Sequence, residues 1–401
     1  MLEIGPILSA LSRNRVAAVL VVLQIAITLA VVANAAFIID QRLEKMARPT
    51  GIDSDNVFFV QSYGFARDYD LLSVTREDLD QIRALPGVVA ASVLNSIPLS
   101  GSGSQNTYQA IASEDAPAIS GNYFEVDEQG VDALGVQLVA GRTFRADEVQ
   151  TEQGLTSRFV PSVIVTRDFA REVFGDENAV GREIYDGLGQ AATVVGVIEN
   201  MQGAWVNASR LTSVVLHPRL PMPPLMRYVV RTEPGARDAL IAEVERLLSR
   251  NRDRVITWVR PHDWFLERSY KPDLRMIVFL GVLIVWMLLL TGLGVVGLAS
   301  FLVRIRTRQI GTRRAVGATR GDILRYFLVE NWLLTTVGAV LGVLLAFGFG
   351  QWLSQQYALP RLAPHFVLFG VLALWILGQL AVLVPARRAA AISPAIATRT
   401  V

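Results

Sequence analysis

Few residues of this 401-residue sequence have the types and spacing that chemistry requires. The three histidines, His217, His262 and His365, lie far apart and lack the spacing of metal ligands. The stretch PLSGSGSQN (98–106) is rich in serine and glycine. It lacks the flanks of a nucleophile elbow and the third glycine of a dinucleotide loop, so we expect a mobile loop there.

Two carboxylate pairs are the other candidates for chemistry. Asp127-Glu128 and Asp147-Glu148 fall on expected loops, where we expect them to be solvated. No G-x-x-x-x-G-K-[ST] motif is present to hold nucleotide phosphates. We therefore expect no catalytic site, no metal and no cofactor in this chain, and we predict that it is not an enzyme. Its net charge of +2 gives no indication of nucleic-acid binding.

The elements that dominate the sequence are apolar and long. Hydrophobic residues make up 52% of the chain and the mean hydropathy is +0.38. A helix needs about 20 apolar residues to cross about 30 Å of hydrocarbon. Four stretches without Asp, Glu, Lys or Arg meet this length, namely 16–39, 276–303, 331–360 and 362–386. They predict transmembrane helices over 16–39, 276–303, 326–352 and 364–386.

Arginine placement predicts how these helices are oriented. Short loops rich in Lys and Arg stay on the cytoplasmic side. Arg13 and Arg15 precede the first span, seven arginines lie between the second and third, and Arg387 and Arg388 follow the fourth. We expect both termini and the loop 304–325 to be cytoplasmic, and residues 40–275 to form a domain outside the membrane.

The first span allows a second interpretation. Ala33-Asn34-Ala35 resembles a signal-peptidase site. The uncharged stretch is longer than a typical signal core, which favours a retained span. Residues 1–15 have apolar side chains at helical spacing, typical of an amphipathic helix on the inner leaflet, although a frayed tail fits as well.

The domain over 40–275 alternates strand and helix patterns at its two ends. The segments 57–95 and 227–260 each predict a β-α-β unit, and together they form one split α+β lobe. Thr75 and Asp78 suggest the capped start of its first helix. A β-rich lobe is inserted at about 105–218, and its segment SVIVTRDFAREVFG is expected to be strand and turn.

Aromatic residues mark the junction between this domain and the second span. Trp264, Phe265 and Tyr270 fit either a membrane-interface belt or the core of the domain. The domain has no cysteine, so its core alone must stabilise it.

The loop RIRTRQIGTRRAVGATRGDILRYFLVEN (304–331) has features that membrane topology alone does not explain. We expect a helix running on from the second span through 316, a stop at Gly317, and a capping box from Thr319 and Asp322 that starts the third span. This helix–glycine–helix elbow suits docking on a soluble partner, with membrane anchoring as the simpler alternative. Glu330 follows; Arg325 or Arg314 would neutralise it, unless it is solvated at headgroup level.

At this point the sequence resembles a known family. RQIGTRRAVGATRGDILRYFLVE and the tail PARRAAAISPAIATR resemble the cytoplasmic signature and ending of the FtsX-like permeases. NYFEVDEQGVDALGVQLVAGRTF and AVGREIYDGLGQAATVVGVIENM resemble the MacB-type periplasmic domain. The implied fold is four transmembrane α-helices with a large α+β extracytoplasmic domain, a split β-α-β lobe plus an inserted β-rich lobe, between helices 1 and 2.

The resemblance also implies roles for residues of the elbow. The elbow would be a coupling helix seated in a groove of an ATP-binding-cassette (ABC) subunit, and Glu330 matches an acidic position of the family. Gln309 stands where many members have glutamate, so a charge pair specific to that glutamate is not expected. The implied contact residues are Arg308, Ile310, Gly311, Arg313, Arg314, Ala315, Gly317, Ala318, Thr319 and Asp322.

The resemblance further implies partners and a function. ATP and Mg would be bound by a dimeric ABC ATPase on a separate chain, and a second permease chain would complete the membrane part. The bilayer would be the bacterial inner membrane, and a periplasmic adaptor and outer-membrane channel would join an export system. The expected function is mechanotransmission that exports a substrate from the periplasm or outer leaflet. Lipoprotein release and a non-transporting signal relay to a cell-wall hydrolase or sensor remain as alternatives.

Overall fold

The computed structural model describes residues 15–113, 115–151, 160–221, 225–357 and 360–392. It divides into two compact units, which are described separately. The membrane unit comprises Met1–Ala47 and Asp273–Val401, and the large domain is Arg48–Pro272. Most of the predicted helix over 1–15, and the tail beyond 392, lie outside the described residues.

The elements follow one another in this order: α1 (Arg15–Met46), β1 (Val57–Gly64), α2 (Leu71–Arg83), β2 (Val88–Leu94), β3 (Ser104–Gln109), β4 (Ile119–Val126), α3 (Gly130–Leu134), β5 (Leu138–Gly141), a 3-10 turn (Ala146–Glu148), β6 (Ser162–Thr166), α4 (Arg167–Phe174), β7 (Glu183–Asp186), β8 (Ala191–Ile198), β9 (Val214–Pro218), β10 (Leu225–Thr232), α5 (Arg237–Leu248), β11 (Arg254–Pro261), α6 (His262–Ile305), α7 (Thr307–Ala315), α8 (Arg320–Tyr357) and α9 (Pro364–Ala390).

Four of these helices, α1, α6, α8 and α9, are long and apolar enough to cross a membrane, which confirms the predicted four spans. Small residues let α8 approach its neighbours closely. A Cβ added at Gly338 or Gly342 would come within 2.8 Å of side-chain atoms of α1. Asn34 of α1 donates a hydrogen bond to the Ala346 carbonyl of α8 (3.1 Å), so the segment resembling a cleavage site is packed within the bundle.

Helix α6 is packed differently from the other spans. Its most apolar window is 6% buried, compared with 44% for α1 and 39% for α8. Polar contacts tie it to α1: Gln24 donates to the Leu290 carbonyl (2.8 Å), and the hydroxyls of Thr28 and Thr291 are 2.7 Å apart. Asp273 of α6 also pairs with Lys45, near the C-terminal end of α1 (2.8 Å). The joint between α6 and the bundle is therefore more polar than the joints among α1, α8 and α9.

The large domain is built on a four-stranded antiparallel sheet in the order β11-β1-β10-β2. Strands from both ends of the domain alternate in it, which confirms the predicted split lobe. Helices α2 and α5 contribute to the apolar cluster on one face, where Phe58 and Val230 of the sheet meet Leu79 and Val244. The opposite face carries Phe59 and Val229 into a second cluster with the inserted lobe.

The inserted lobe is a seven-stranded sheet in the order β5-β8-β6-β9-β4-β3-β7. Strand β7 also pairs with β8, so six of the strands form a closed ring, with β5 outside it. The prediction of strand and turn for 167–174 is wrong, because these residues form α4. Thr166 caps α4 by accepting from the Phe169 amide (3.3 Å), and Gly175 ends it in the left-handed conformation.

Two aspartates of the large domain, Asp78 and Asp127, differ from their predicted roles. Helix α2 begins four residues before Thr75, because Asp70 caps it. Asp78 is instead buried inside the lobe, where it pairs with Arg254. Asp127 is likewise not solvated: it is buried and pairs with Arg83 (2.6 Å), while burial raises its pKa.

Glu148 is also paired rather than solvated. Arg142 forms a two-pronged contact with it (2.7 Å for each oxygen), and these hydrogen bonds lower the pKa of Glu148 to about 2. Of the junction aromatics, Phe265 and Tyr270 are buried in the large domain. Trp264 packs against the same core, so core packing and not a membrane belt accounts for these residues.

Candidate functional site

The elbow (residues 304–325) is interrupted where a continuous helix was expected. Helix α6 ends at Ile305, and Arg306 (φ −96°, ψ 9°) departs from helical geometry before α7 begins at Thr307. The prediction that the second span runs unbroken to 316 is therefore wrong. The break gives the elbow two corners, one at Arg306 and one at Gly317.

A buried ion pair holds the first corner. One guanidinium nitrogen of Arg306 (Nη1) is 2.9 Å from each carboxylate oxygen of Glu330, and both side chains are at most 8% exposed. The same nitrogen lies 3.4 Å from the Tyr326 hydroxyl. The predicted partners Arg325 and Arg314 are wrong, and so is the solvated alternative. Because the chain turns at Arg306, its side chain packs against α8, and a buried carboxylate requires such a partner.

Arg314 connects α7 to a different helix. Its guanidinium donates to the Ala390 carbonyl (3.2 Å) and to the Ile392 carbonyl at the C-terminal end of α9. The last carbonyls of a helix lack partners within the helix and attract cations, so Arg314 acts as a C-terminal cap of α9. The elbow is thus tied to α8 through Arg306 and to α9 through Arg314.

The second corner has the expected chemistry. Gly317 has φ +106°, which side chains other than glycine rarely adopt, and nothing lies within 4 Å of a Cβ built there. The Asp322 carboxylate accepts from the Thr319 amide (2.9 Å), and the Thr319 hydroxyl accepts from the Asp322 amide (3.2 Å). This reciprocal pair confirms the predicted capping box at the start of α8.

The predicted contact residues fall into three groups by exposure. Ile310 and Gly311 are buried against the bundle, where Ile310 joins the apolar cluster around Phe327. Arg314 and Ala318 are half-buried. The remaining six are exposed, namely Arg308, Arg313, Ala315, Gly317, Thr319 and Asp322.

Two residues of the elbow matter more than sequence reasoning indicated. Val316 is 84% exposed at the corner beside Gly317, so an apolar side chain stands at the surface of the elbow. Arg306 was counted only among the loop arginines. A valine placed directly before a helix-stopping glycine was the available signal for the first; no sequence signal distinguished Arg306 from its neighbours.

The other candidates for chemistry are structural. His217 is buried, its Nε2 lies 3.1 Å from the Tyr108 hydroxyl, and its ring stacks on Tyr123 with centroids 5.0 Å apart. Burial lowers the pKa of His217 to about 3, which keeps the imidazole neutral. Among the residues that the structure describes, no group of three or more His, Asp or Glu side chains could hold a metal ion.

Comparisons with known proteins agree with this architecture. The family model for the FtsX-like permease C-terminal region matches residues 281–394, and the model for the MacB-like periplasmic core domain matches residues 18–247. Macrolide export ATP-binding/permease protein MacB of Escherichia coli (strain K12) is 26% identical over 405 aligned positions, which cover 96% of this chain and 58% of that protein.

A second relative of the same name, from Chromobacterium violaceum, is 28% identical over 273 positions, covering 65% of this chain and 40% of that protein. The chain therefore spans about half the length of these curated relatives. The crystal structure of the periplasmic region of MacB from Actinobacillus actinomycetemcomitans aligns with 56% of this chain and 97% of its own, at 14% identity and a TM-score of 0.34.

The family assignment depends on the two models, which together account for most of the sequence. The periplasmic-domain model alone covers more than half of the 401 residues. With four spans, an exposed elbow and a two-lobed large domain, the chain belongs to the FtsX-like permeases that carry a MacB-like periplasmic core domain.

Proposed function

We propose that this chain is the permease subunit of an ABC transporter and transmits ATP-driven motion from a separate ATPase subunit to its large domain, exporting a substrate from the periplasm or outer leaflet. The observation that carries the proposal is the elbow, exposed at Val316 and tied to two spans by Arg306–Glu330 and by Arg314. The relatives named as macrolide export proteins support an export role.

The ties explain how a push on the elbow reaches the membrane helices. Force applied at the corner around Val316 would pass to α8 through the Thr319–Asp322 capping box and Glu330, and to α9 through Arg314. It would pass to α6 across the short break at Arg306. Helix α6 has 44 residues, about 66 Å at 1.5 Å per residue, and follows directly on the last strand of the large domain. Rigid-body movement of stiff elements is an established means of coupling distant sites.

Loose apolar packing of α6 supports its role as the moving element. Packed cores resist continuous deformation, whereas a span held by a few hydrogen bonds can exchange partners at low cost. Gln24 and Thr28 lie one turn apart on α1 and contact successive residues of α6. Movement of α6 against α1 would therefore break these contacts and the pairing of Asp273 with Lys45, with little loss of buried apolar surface.

The proposal includes the orientation. The termini and the elbow would be cytoplasmic and the large domain periplasmic, in the inner membrane. Because the sequence has no cysteine, single-cysteine variants report cleanly. We expect a membrane-impermeant maleimide to label Leu188→Cys, 82% exposed in the large domain, in intact spheroplasts. Val316→Cys should react only after the membrane is opened; the reverse pattern would refute the proposal.

The coupling itself is tested by ATP hydrolysis in a reconstituted complex with the co-purifying ATPase. Arg313→Glu reverses a charge on the exposed face of α7 and should abolish permease-stimulated hydrolysis. Arg387→Glu, an exposed arginine of α9, is the matched control and should retain it. Equal hydrolysis for both variants would remove the elbow from the coupling path.

A further inference from the structure

A cleft of about 560 Å³ opens on the surface of the large domain, within one compact unit. Three segments distant in sequence form it: the loop between β2 and β3 with the start of β3, the loop after β8, and the first turns of α6. The cleft is lined by Ser100, Gly101, Gln105, Trp205, Arg268 and Ser269, together with the three residues that follow Trp205. Its volume lies in the range of small-molecule sites, about 300–1,000 Å³.

A strained residue fixes the wall of this cleft. Leu99 has φ +57°; within the described chain it is the non-glycine residue with positive φ. The left-handed conformation costs about 1–2 kcal/mol for such a residue, and strain of this kind clusters at functional sites. The Leu99 amide donates to the Gly203 carbonyl (3.0 Å), and the Leu99 carbonyl accepts from the Ser269 hydroxyl. The loop over 98–106 is thereby anchored to both other segments.

The cleft presents an aromatic surface. The Trp205 side chain is half-buried, and its ring lies against Gly103, where an added Cβ would be 3.4 Å from the ring carbon Cη2. A second hydrogen bond, from the Gly101 amide to the Ala204 carbonyl (2.8 Å), holds the two loops together beside this ring. Trp205 is therefore positioned by the backbone on one side and faces the cleft on the other.

The cleft also presents one positive charge. Arg268 is exposed, and its guanidinium lies 5.2 Å from the centroid of the Trp264 ring, which restrains it by a cation–π contact. Among the described residues that line the cleft there is no carboxylate, and Arg268 has no ion-pair partner in the described part of the chain.

The neighbouring hydroxyls are already used within the protein. Ser100 donates to the Ser102 carbonyl (2.9 Å), and Ser269 donates to the Leu99 carbonyl. The guanidinium of Arg268 is therefore the strongest hydrogen-bond donor that the cleft offers to a ligand, and guanidinium geometry matches a carboxylate.

We propose that this cleft binds a small amphipathic carboxylate, with the apolar part of the ligand on Trp205 and its carboxylate at Arg268. The assignment does not depend on coupling to an ATPase, because it concerns binding to the large domain alone. It identifies a ligand by two chemical features, an anion and an apolar or aromatic group within one small molecule.

The test uses dansyl-L-phenylalanine as the carboxylate probe and its amide as the neutral control. The full chain is held in phosphatidylcholine nanodiscs, and binding is measured by titration calorimetry against empty nanodiscs. We expect the carboxylate to bind the wild type more tightly than the amide by about tenfold, the contribution of a hydrogen bond to a charged group. Arg268→Gln should remove this preference and leave amide binding unchanged.

Two further variants separate the contributions. Trp205→Ala should weaken both probes, whereas Arg252→Gln, which removes another exposed arginine of the large domain, should change neither. Equal thermal unfolding midpoints show that the variants are folded. The proposal is overturned if the wild type binds both probes equally or not at all, or if either cleft variant binds as the wild type does. No ATPase is present, so these outcomes are distinct from those of the coupling experiment.

Discussion

Two arginine–carboxylate pairs of the described residues have both side chains buried, and they stabilise different kinds of structure. In the large domain Arg254 pairs with Asp78, which also accepts from the Tyr228 hydroxyl, while Nε of Arg254 donates to the Leu248 carbonyl (2.8 Å). At the elbow Arg306 pairs with Glu330, and within the described chain its second terminal nitrogen (Nη2) has no hydrogen-bond partner.

The surroundings of the two pairs explain the difference. The Arg254 pair lies in the lobe that contains α2 and α5, whose apolar cluster includes the fully buried residues Phe58 and Val230. The Arg306 pair lies where one helix breaks, eleven residues before a glycine that bends the chain again. The same chemistry therefore fixes a core in one region and sets the angle of a joint in the other. Loss of the Arg254–Asp78 pair should unfold the large domain. Loss of the Arg306–Glu330 pair should leave that domain folded but weaken its coupling to ATP hydrolysis.

The largest effect is expected from Asp78→Ala. This variant leaves Arg254 buried without a counter-charge, which typically costs about 3–5 kcal/mol. We expect urea unfolding of the full chain, followed by circular dichroism, to show the large domain melting well before the wild type. A midpoint close to that of the wild type would contradict the view that this pair holds the core.

Glu330→Gln should affect ATP hydrolysis more than stability. Arg306 lies at the end of a span and can extend its long side chain toward water, so we expect a smaller loss of stability than for Asp78→Ala. Permease-stimulated ATP hydrolysis should fall about tenfold, within the range of coupling free energies between sites. Glu44→Gln, an exposed glutamate of α1, is the matched control. If Glu330→Gln unfolds the protein while the folded fraction keeps normal stimulated hydrolysis, both pairs have the same structural role and the comparison fails.

The two regions also differ in the space around their glycines. A Cβ at Gly51 of the large domain would lie 2.0 Å from the Asn200 carbonyl oxygen, whereas one at Gly317 meets no atom within 4 Å. Gly51→Ala should destabilise the large domain. Gly317→Ala should cost only the backbone term, about 1–2 kcal/mol, and shift the elbow. Lower ATP hydrolysis with an unchanged unfolding midpoint of the large domain is the expected result for Gly317→Ala, and normal hydrolysis would argue against a fixed corner.

The smallest effect on stability at neutral pH is expected from substitution of His217. Its folded pKa of about 3 lies below the value of about 6.5 in an unfolded chain. Between these values the unfolded state binds a proton that the folded state does not, so the contribution of His217 to stability is complete above pH 6.5 and declines as pH falls toward 3. We expect His217→Gln to flatten the pH dependence of the unfolding midpoint in this window. An unchanged slope would show that His217 is not buried as described.

The sequence predicted the parts of this molecule that depend on local pattern. Charge-free length predicted four spans, and Gly317 with Thr319 and Asp322 predicted the second corner of the elbow. The signals for α4 were also local, a threonine cap and a terminal glycine, but the strand pattern before them dominated the prediction.

Long-range pairing could not be predicted in the same way. Asp78 meets Tyr228 and Arg254 across 150 and 176 residues, and only the sheet order brings them together. Glu330 finds Arg306 because a helix expected to be continuous breaks there, so a continuous-helix register gave the wrong partners. Local sequence propensity predicts the helices and strands, whereas the pairing of buried charges depends on the tertiary packing.

If the chain transmits motion as proposed, the exposed corner of the elbow contacts an ATPase. A photo-crosslinking benzoylphenylalanine at Val316 tests this most directly in native membranes, with the same residue at Leu188 of the large domain as the control site. We predict that the Val316 adduct contains a polypeptide with a G-x-x-x-x-G-K-[ST] motif and that the Leu188 adduct does not. Val316 crosslinking only to lipid, or both sites yielding the same product, would contradict the account.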